Sequence, residues 1–294
     1  MSFLSDADRR AYHLDADRRG YLLEDYRLFH LKETRAQTFG YHYHEFDKVV
    51  LFLSGQVTYT IEGRAYSPAP GDLLLVPHHH IHQPDIGEIT YERCILWLSP
   101  GFLSRYGLDA CFRQADETGF HLVRPRDPRE AASLLERMEQ AMGEDAFGSE
   151  LLVRTCCIQF LIALNRAALD NRAGSAACAS DRRVQQVMDY INSHLGETLD
   201  VDTLAAACYL SPSWLMHRFR AVAGCTVHQY VVQKRLIAAA DAIRSGTGVM
   251  QAAREAGFRD YSAFLRAFRA AYHTSPKALL AGDRDGSGGA TFQK

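Results

Sequence analysis

The sequence predicts an α+β multidomain chain: an N-terminal antiparallel β-barrel with a helix pair, then an all-α domain built from a duplicated helical unit. Three observations predict it. Short apolar runs between residues 22 and 98 are cut by Gly and Pro, the hydrophobic period turns helical after Asp127, and residues 206–221 recur at 255–270.

Residues 49–53, 57–61, 73–76 and 93–98 are rich in Val, Leu, Tyr, Phe and Thr, and Gly55, Gly63, Pro70-Gly71, Pro77 and Pro84 punctuate them. Strands of that length and spacing close into a barrel or sandwich, expected over residues 1–126. In 127–170, Leu134, Leu135, Met138 and Met142, then Leu151, Leu152, Ile158, Leu161 and Ile162, fall at helical spacing around a break near Gly143–Gly148. This is an antiparallel helix pair whose apolar stripes either pack on the barrel or pair two copies of the chain. Residues 171–180 are small and aperiodic, a linker. Residues 181–282 are helical, and 283–294 form a polar tail expected to be disordered. The near-repeat DADRR at 6–10 and 15–19 gives a charged arm, either a latch or a frayed end.

Composition narrows the class. With 47% hydrophobic, 11% aromatic and 23% charged residues, the chain is an ordinary globular one. No uninterrupted apolar run approaches the ~18 residues of a membrane span, and the N-terminus lacks an apolar signal core, so the expectation is a cytoplasmic protein. Seven cysteines (94, 111, 156, 157, 178, 208, 225) show no CxxC or paired spacing and read as buried thiols in a reducing compartment. The net charge of −2 is uneven: residues 181–284 hold 13 Lys+Arg against 9 Asp+Glu, or +4, leaving 20 against 26, or −6, elsewhere. A modestly basic half can approach a polyanion.

The repeat carries the strongest signal. A shift of 49 sets Ala207 on Ala256, Ser213 on Ser262, Phe219 on Phe268, Arg220 on Arg269 and Ala221 on Ala270. Tyr209 then meets Phe258, Ser211 meets Asp260, and Leu215 meets Phe264. Ser211 and Asp260 can each accept from the free N–H groups of a helix start, and Pro212 suits the first helical position. A short Ala-rich helix precedes each cap across a tight break, so each copy is helix, turn, helix. Leu215/Phe219 and Phe264/Phe268 mark the buried stripes. That leaves Ser213, Met216, His217 and Arg220, and Tyr261, Ser262, Leu265, Arg266 and Arg269, on faces poor in acids. Such a face suits the major groove of double-stranded DNA.

The run AAREAGFRDYSAFLRAFRAAYHTSP (252–276) resembles the signature of AraC-type transcription regulators. The resemblance implies a seven-helix domain of about 100 residues whose two helix-turn-helix units are joined by a long helix, here 227–244, and enter successive major grooves about 34 Å apart. By position, Ser213, Met216, His217, Tyr261, Leu265 and Arg266 become base-edge candidates. Arg220, Lys234, Arg259, Arg269 and Lys277 become phosphate candidates. Two departures, His273 for a usual Gly and Leu279-Leu280 for Tyr-Arg, bear on C-terminal packing alone. The resemblance also implies a homodimer joined through the helix pair.

Six of the thirteen histidines fall at 42, 44, 78, 79, 80 and 82. On a strand, alternation turns His42 and His44 to one face. With PGDLLLVPHHHIHQP (70–84), the pattern resembles the two motifs of a cupin barrel, which implies both motifs facing one cavity. AraC-type regulators commonly carry such a barrel in front of their DNA-binding half. Metal-dependent cupins resemble HxH followed by Glu and a later His, but Lys48 stands at the Glu position. The residues leave three readings open: a divalent metal (Zn or Ni) on His42, His44 and His82; a polar or anionic small-molecule effector held by His42, His44, Lys48 and His82; or an unliganded barrel. His78, His79 and His80 follow Pro77 in a loop, where at least two of the three side chains should face water. A ligand-responsive, sequence-specific DNA-binding regulator is the leading function, and a metal-dependent cupin enzyme with an accessory helical domain is the alternative.

Overall fold

The computed structural model describes residues 22, 24–33, 37–38, 41–87, 90–170, 181–272 and 274–279. The expected arm at 6–19, linker at 171–180 and tail at 283–294, with His273 and Leu280, lie outside them. The chain divides into two compact units at Ser180/Asp181.

Strands of the first unit are β1 (Tyr26–Glu33), β2 (Gln37–Thr38), β3 (Asp47–Ser54), β4 (Val57–Ile61), β5 (Arg64–Tyr66), β6 (Leu73–Val76), β7 (His82–Ile86), β8 (Tyr91–Leu98) and β9 (Leu122–Val123). They form two antiparallel sheets, ordered β1-β8-β3-β6-β9 and β2-β7-β4-β5. Alternation explains why β3 and β8 read as continuous apolar runs: both faces of the larger sheet are covered. Val50, Phe52, Ile95 and Trp97 pack inside the barrel with Phe29, Phe46, Tyr59, Ile61 and Tyr66. Val49, Leu51, Leu96 and Leu98 pack outward against helices.

Those helices include two the sequence reading left inside the barrel region, α1 (Pro100–Tyr106) and α2 (Ala110–Thr118). Their signals are local: Ser99 accepts from Phe102 N–H, Pro100 takes the first turn, and Gly107 and Gly119 close the two helices in left-handed conformation. The expected helix pair is α3 (Pro128–Met142) and α4 (Ser149–Asp170). Leu134, Leu135, Met138 and Leu161 are buried as expected, whereas Met142, Leu151, Leu152 and Ile162 are exposed. By length and composition α4 could cross a membrane. Here its Val153, Cys156, Cys157, Phe160, Leu161 and Leu164 belong to the core outside the larger sheet. Among the described cysteines, all are free; five are buried and Cys225 is half-buried.

The second unit contains α5 (Arg182–Ser193), α6 (Val201–Ala207), α7 (Pro212–Ala223), α8 (Val227–Arg244), α9 (Val249–Glu255) and α10 (Tyr261–Tyr272). Helix α8 keeps the boundaries read from the sequence, its start fixed by a reciprocal Thr226–Gln229 capping box. Residues 276–279 begin a further helical turn.

The duplication is real, but its register needs correction. Helices α7 and α10 are both twelve residues long and align at a shift of 49, whereas α6 and α9, seven residues each, align at 48. The hydrogen bonds that close the first helix agree with 48: Leu210 N–H reaches Ala205 O (2.8 Å) as Phe258 N–H reaches Ala253 O (3.0 Å). Tyr209 therefore corresponds to Gly257, both with positive φ (57° and 93°), and the second turn contains one extra residue. A side-chain match across a turn cannot locate an insertion inside it.

Candidate functional site

The caps set the reading helices. Ser211 Oγ accepts from Trp214 N–H (3.3 Å) and Asp260 Oδ1 from Ser262 N–H (2.8 Å), as expected of both residues. Leu215, Phe219, Phe264 and Phe268 are fully buried. A helix pinned by those apolar pairs must hold out the opposite face. On α7 that face exposes Ser213, Met216, His217 and Arg220; on α10 it exposes Tyr261, Ser262, Arg266 and Arg269. Two expected contacts are less free. Leu265 is half-buried against the α8–α10 core, and Lys234 is half-buried with its ammonium 5.7 Å from the Tyr230 ring centre. Arg259 and Lys277 are exposed, and Arg259 hydrogen-bonds the Thr198 hydroxyl. Arg266 lies 4.0 Å from the capping Asp260, an exposed pair that orients more than it stabilises.

Sequence reasoning passed over two arginines, and saw Gly257 only as part of a turn. Arg218 is exposed on α7 and pairs with Asp181, the cap of α5. Arg235 donates to Leu195 O (2.9 Å) and Glu197 O, bracing the loop before α6. Gly257 fits against the same loop: a Cβ there would meet Leu195 O at 2.2 Å, so glycine is required by contact as well as by φ. Neither arginine carries a local sequence signal, and the contact of Gly257 with Leu195 carries none, because each partner is distant in the chain.

In the first unit, the structure gathers His42, His44, Lys48 and His82. His42-Tyr43-His44, expected on a strand, instead runs ahead of β3; His42 forms a bridge to His82 with backbone bonds of 3.1 and 2.9 Å. The imidazoles nevertheless converge, with ring centres 4.3–5.0 Å apart and one ligand nitrogen from each within 4.8 Å of the others. His82 Nδ1–H donates to His80 O (2.9 Å), which leaves the Nε2 lone pair to accept from Lys48 Nζ at 2.9 Å. His44 stacks on Phe46, and its Nδ1 is buried without a partner among the described residues.

Burial governs the charges. It pushes His44 and His82 well below the usual histidine range, with Lys48 and His42 adding to the effect. It lowers the Lys48 amine, with help from Arg93, to about 7. His121, buried nearby against His80, is held at about 3.

The histidine loop corrects a second expectation. His78 is half-exposed, but His79 and His80 are largely buried. Each finds a carboxylate: His78 on Asp47 (2.9 Å), His79 on Glu45 (3.0 Å) and His80 on Asp116 (2.8 Å). Asp116 comes from α2, a helix the sequence reading did not place, and Asp47 also accepts from His78 N–H. Hydrogen bonding to carboxylates holds this loop inward where composition alone would leave it in water.

Three imidazoles suit Zn or Ni in kind. The geometry does not suit them as it stands: zinc–nitrogen bonds of about 2.0–2.1 Å require ligand nitrogens about 3.4 Å apart, and the His82 lone pair is engaged by Lys48. A separate groove of about 710 Å³ lies between α3, α4 and the strand end before α3, floored by Leu73, Leu134 and Leu164 and rimmed by Arg124, Arg126 and Arg166.

Comparison with known proteins gives one match within each unit. Residues 28–161 match the family described as AraC-like ligand binding domain, and residues 204–282 match a helix-turn-helix domain. The HTH-type transcriptional activator RhaS of Salmonella schwarzengrund (strain CVM19633) is 26% identical over 253 residues, covering 82% of this chain and 87% of that protein. RhaS of Salmonella typhimurium (strain LT2) matches to the same extent. Among solved structures, ToxT of Vibrio cholerae is 12% identical with a TM-score of 0.36, over 88% of this chain and 98% of that one. The DNA-binding domain of AdpA in complex with a target DNA is 31% identical with a TM-score of 0.34, over 35% of this chain and 94% of that one.

Proposed function

Because the chain belongs to the AraC-type transcription regulators, we propose that it binds operator DNA through α7 and α10 and takes a small-molecule effector in the first unit. The observation that carries the reading is the pair of capped helices, each fixed by a buried apolar pair and each holding out a face without an acid. Ser213, Met216, His217, Tyr261, Ser262 and Arg266 read base edges, with Leu265 lending an apolar contact. Arg220, Arg259, Arg269, Lys234 and Lys277 set the register on phosphates.

The effector acts by binding two arrangements of the protein with unequal affinity, the only way a ligand can shift an equilibrium. Homodimerisation follows from the apolar side chains that α4 leaves in solvent, Leu151, Leu152 and Ile162. The reading invokes no catalysis and places the protein in the cytoplasm beside its DNA.

Selection of binding sites from a random duplex pool by the full chain, followed by salt titration, tests it. The expected result is an enriched sequence and an affinity falling steeply with salt; recovery of no enriched sequence refutes it.

A further inference from the structure

Lys48 is a buried cation that, among the described residues, is paired with no acid. It is 2% exposed and, among the described residues, its amine meets the His82 nitrogen at 2.9 Å and the Tyr59 ring at 5.7 Å but no carboxylate. A buried lysine is ordinarily paired with an acid, because an uncompensated cation is expensive to remove from water. The other nearby cation, Arg93, is 1% exposed and committed through Nη2 to Glu33 at 3.0 Å. The acids closest in sequence are committed too: Asp47 holds His78 and Glu45 holds His79. Around Lys48 the cluster therefore gathers cationic and neutral nitrogen groups, with no carboxylate on the lysine among the described residues.

The lone pairs tell the same story from the other side. His82 presents Nε2 to Lys48, and the buried Nδ1 of His44 lacks a partner. A divalent ion entering here would have to expel the ammonium from His82 and share a closed site with it. An anion meets the opposite situation, attracted by Lys48 and able to accept from an imidazole N–H. Half-buried His42, at the end of the bridge to His82, gives the cluster its contact with solvent.

We propose that Lys48, and not a metal ion, is the resident cation of the three-histidine cluster, and that it makes this site selective for an anionic, carboxylate-type group on the effector. The proposal rests on the reading of the first unit as an effector domain and names the ligand chemistry that it takes. The depression of the Lys48 amine toward neutrality agrees with a cation that still lacks its counter-charge.

The test uses the full chain with Trp214→Phe, which leaves Trp97, its ring centre 6.0 Å from that of His44, as the sole tryptophan. Acetate and its neutral isostere acetamide are titrated at constant ionic strength while Trp97 emission is followed. A saturable acetate response at least ten-fold tighter than any acetamide response is expected, and Lys48→Met should abolish it. That variant should melt no lower than the parent, since an apolar side chain of similar length replaces a buried unpaired cation. With Co²⁺, the parent should give no stoichiometric tetrahedral absorption, and Lys48→Glu should gain it. One Co²⁺ bound by the parent, equal responses to acetate and acetamide, or an acetate response that survives Lys48→Met overturns the proposal. The acetate and acetamide comparison in the parent decides the matter even if both variants misfold. Binding of the selected duplex is measured in parallel, so failure here with DNA binding intact removes the anion site and leaves the regulator reading standing.

Discussion

At the position where α7 carries His217, α10 carries Arg266; Met216 corresponds to Leu265, and Pro212 to Tyr261. Beneath these differences the two helix-turn-helix copies are built alike, with the same twelve-residue second helix, an oxygen-bearing cap and two fully buried apolar side chains one turn apart. The comparison separates two demands on one motif. Packing against neighbouring helices fixes the framework, and the exposed face is free to diverge, so the copies stay equivalent as structure and become unequal as readers. A guanidinium can bond guanine bidentately, and an imidazole cannot.

The likeness is easiest to break in the core. Phe219→Ala and Phe268→Ala should each cost about 3–5 kcal/mol in urea unfolding; a loss confined to one copy would mean that the frameworks are not equivalent. Gly257→Ala should follow, at roughly 1–3 kcal/mol from backbone strain with the contact at Leu195 O added, and its signature is a fall in midpoint without a change in slope. Arg266→Ala should lose about 1–3 kcal/mol of DNA affinity and relax preference at one base position. His217→Ala should cost less, and equal losses would erase the proposed inequality of the two readers. Removing the caps, by Ser211→Ala or Asp260→Ala, should cost about 1 kcal/mol of stability each. The smallest effect distinguishes the turns: Tyr209→Gly should gain about 0.5–1 kcal/mol, because a fully exposed tyrosine at φ 57° strains the backbone and has no packing to lose.

Much of this half was legible in the sequence because its determinants are local. Ser211, Pro212, Asp260 and the i, i+4 apolar pairs act within one or two helical turns of themselves, while the bounds of α8 came with the family resemblance. The 48/49 shift was hidden because an insertion in a turn alters hydrogen bonding while leaving the flanking side-chain pattern intact.

The first unit was legible at the level of strands and less so at its site. His42, His44, Lys48 and His82 were named together, yet the Lys48–His82 bond depends on β3 and β7 lying in different sheets, which no spacing records. At least two of His78, His79 and His80 were expected in water, and His79 and His80 are not, because Glu45 and Asp116, more than thirty residues from them, hold them. Helices α1 and α2 carried visible caps, but they lie between β8 and β9 of one sheet, so the strand runs on either side absorbed them into the barrel region.

The central claim is that α7 and α10 lie in neighbouring major grooves and read them unequally. Hydroxyl-radical and methylation footprinting of the full chain on its selected duplex tests this directly. Two clusters of protected guanines and phosphates separated by about one helical turn are predicted, with Arg266→Ala erasing base preference in one cluster and leaving the other. A single cluster, or two clusters that both survive Arg266→Ala unchanged, would contradict it.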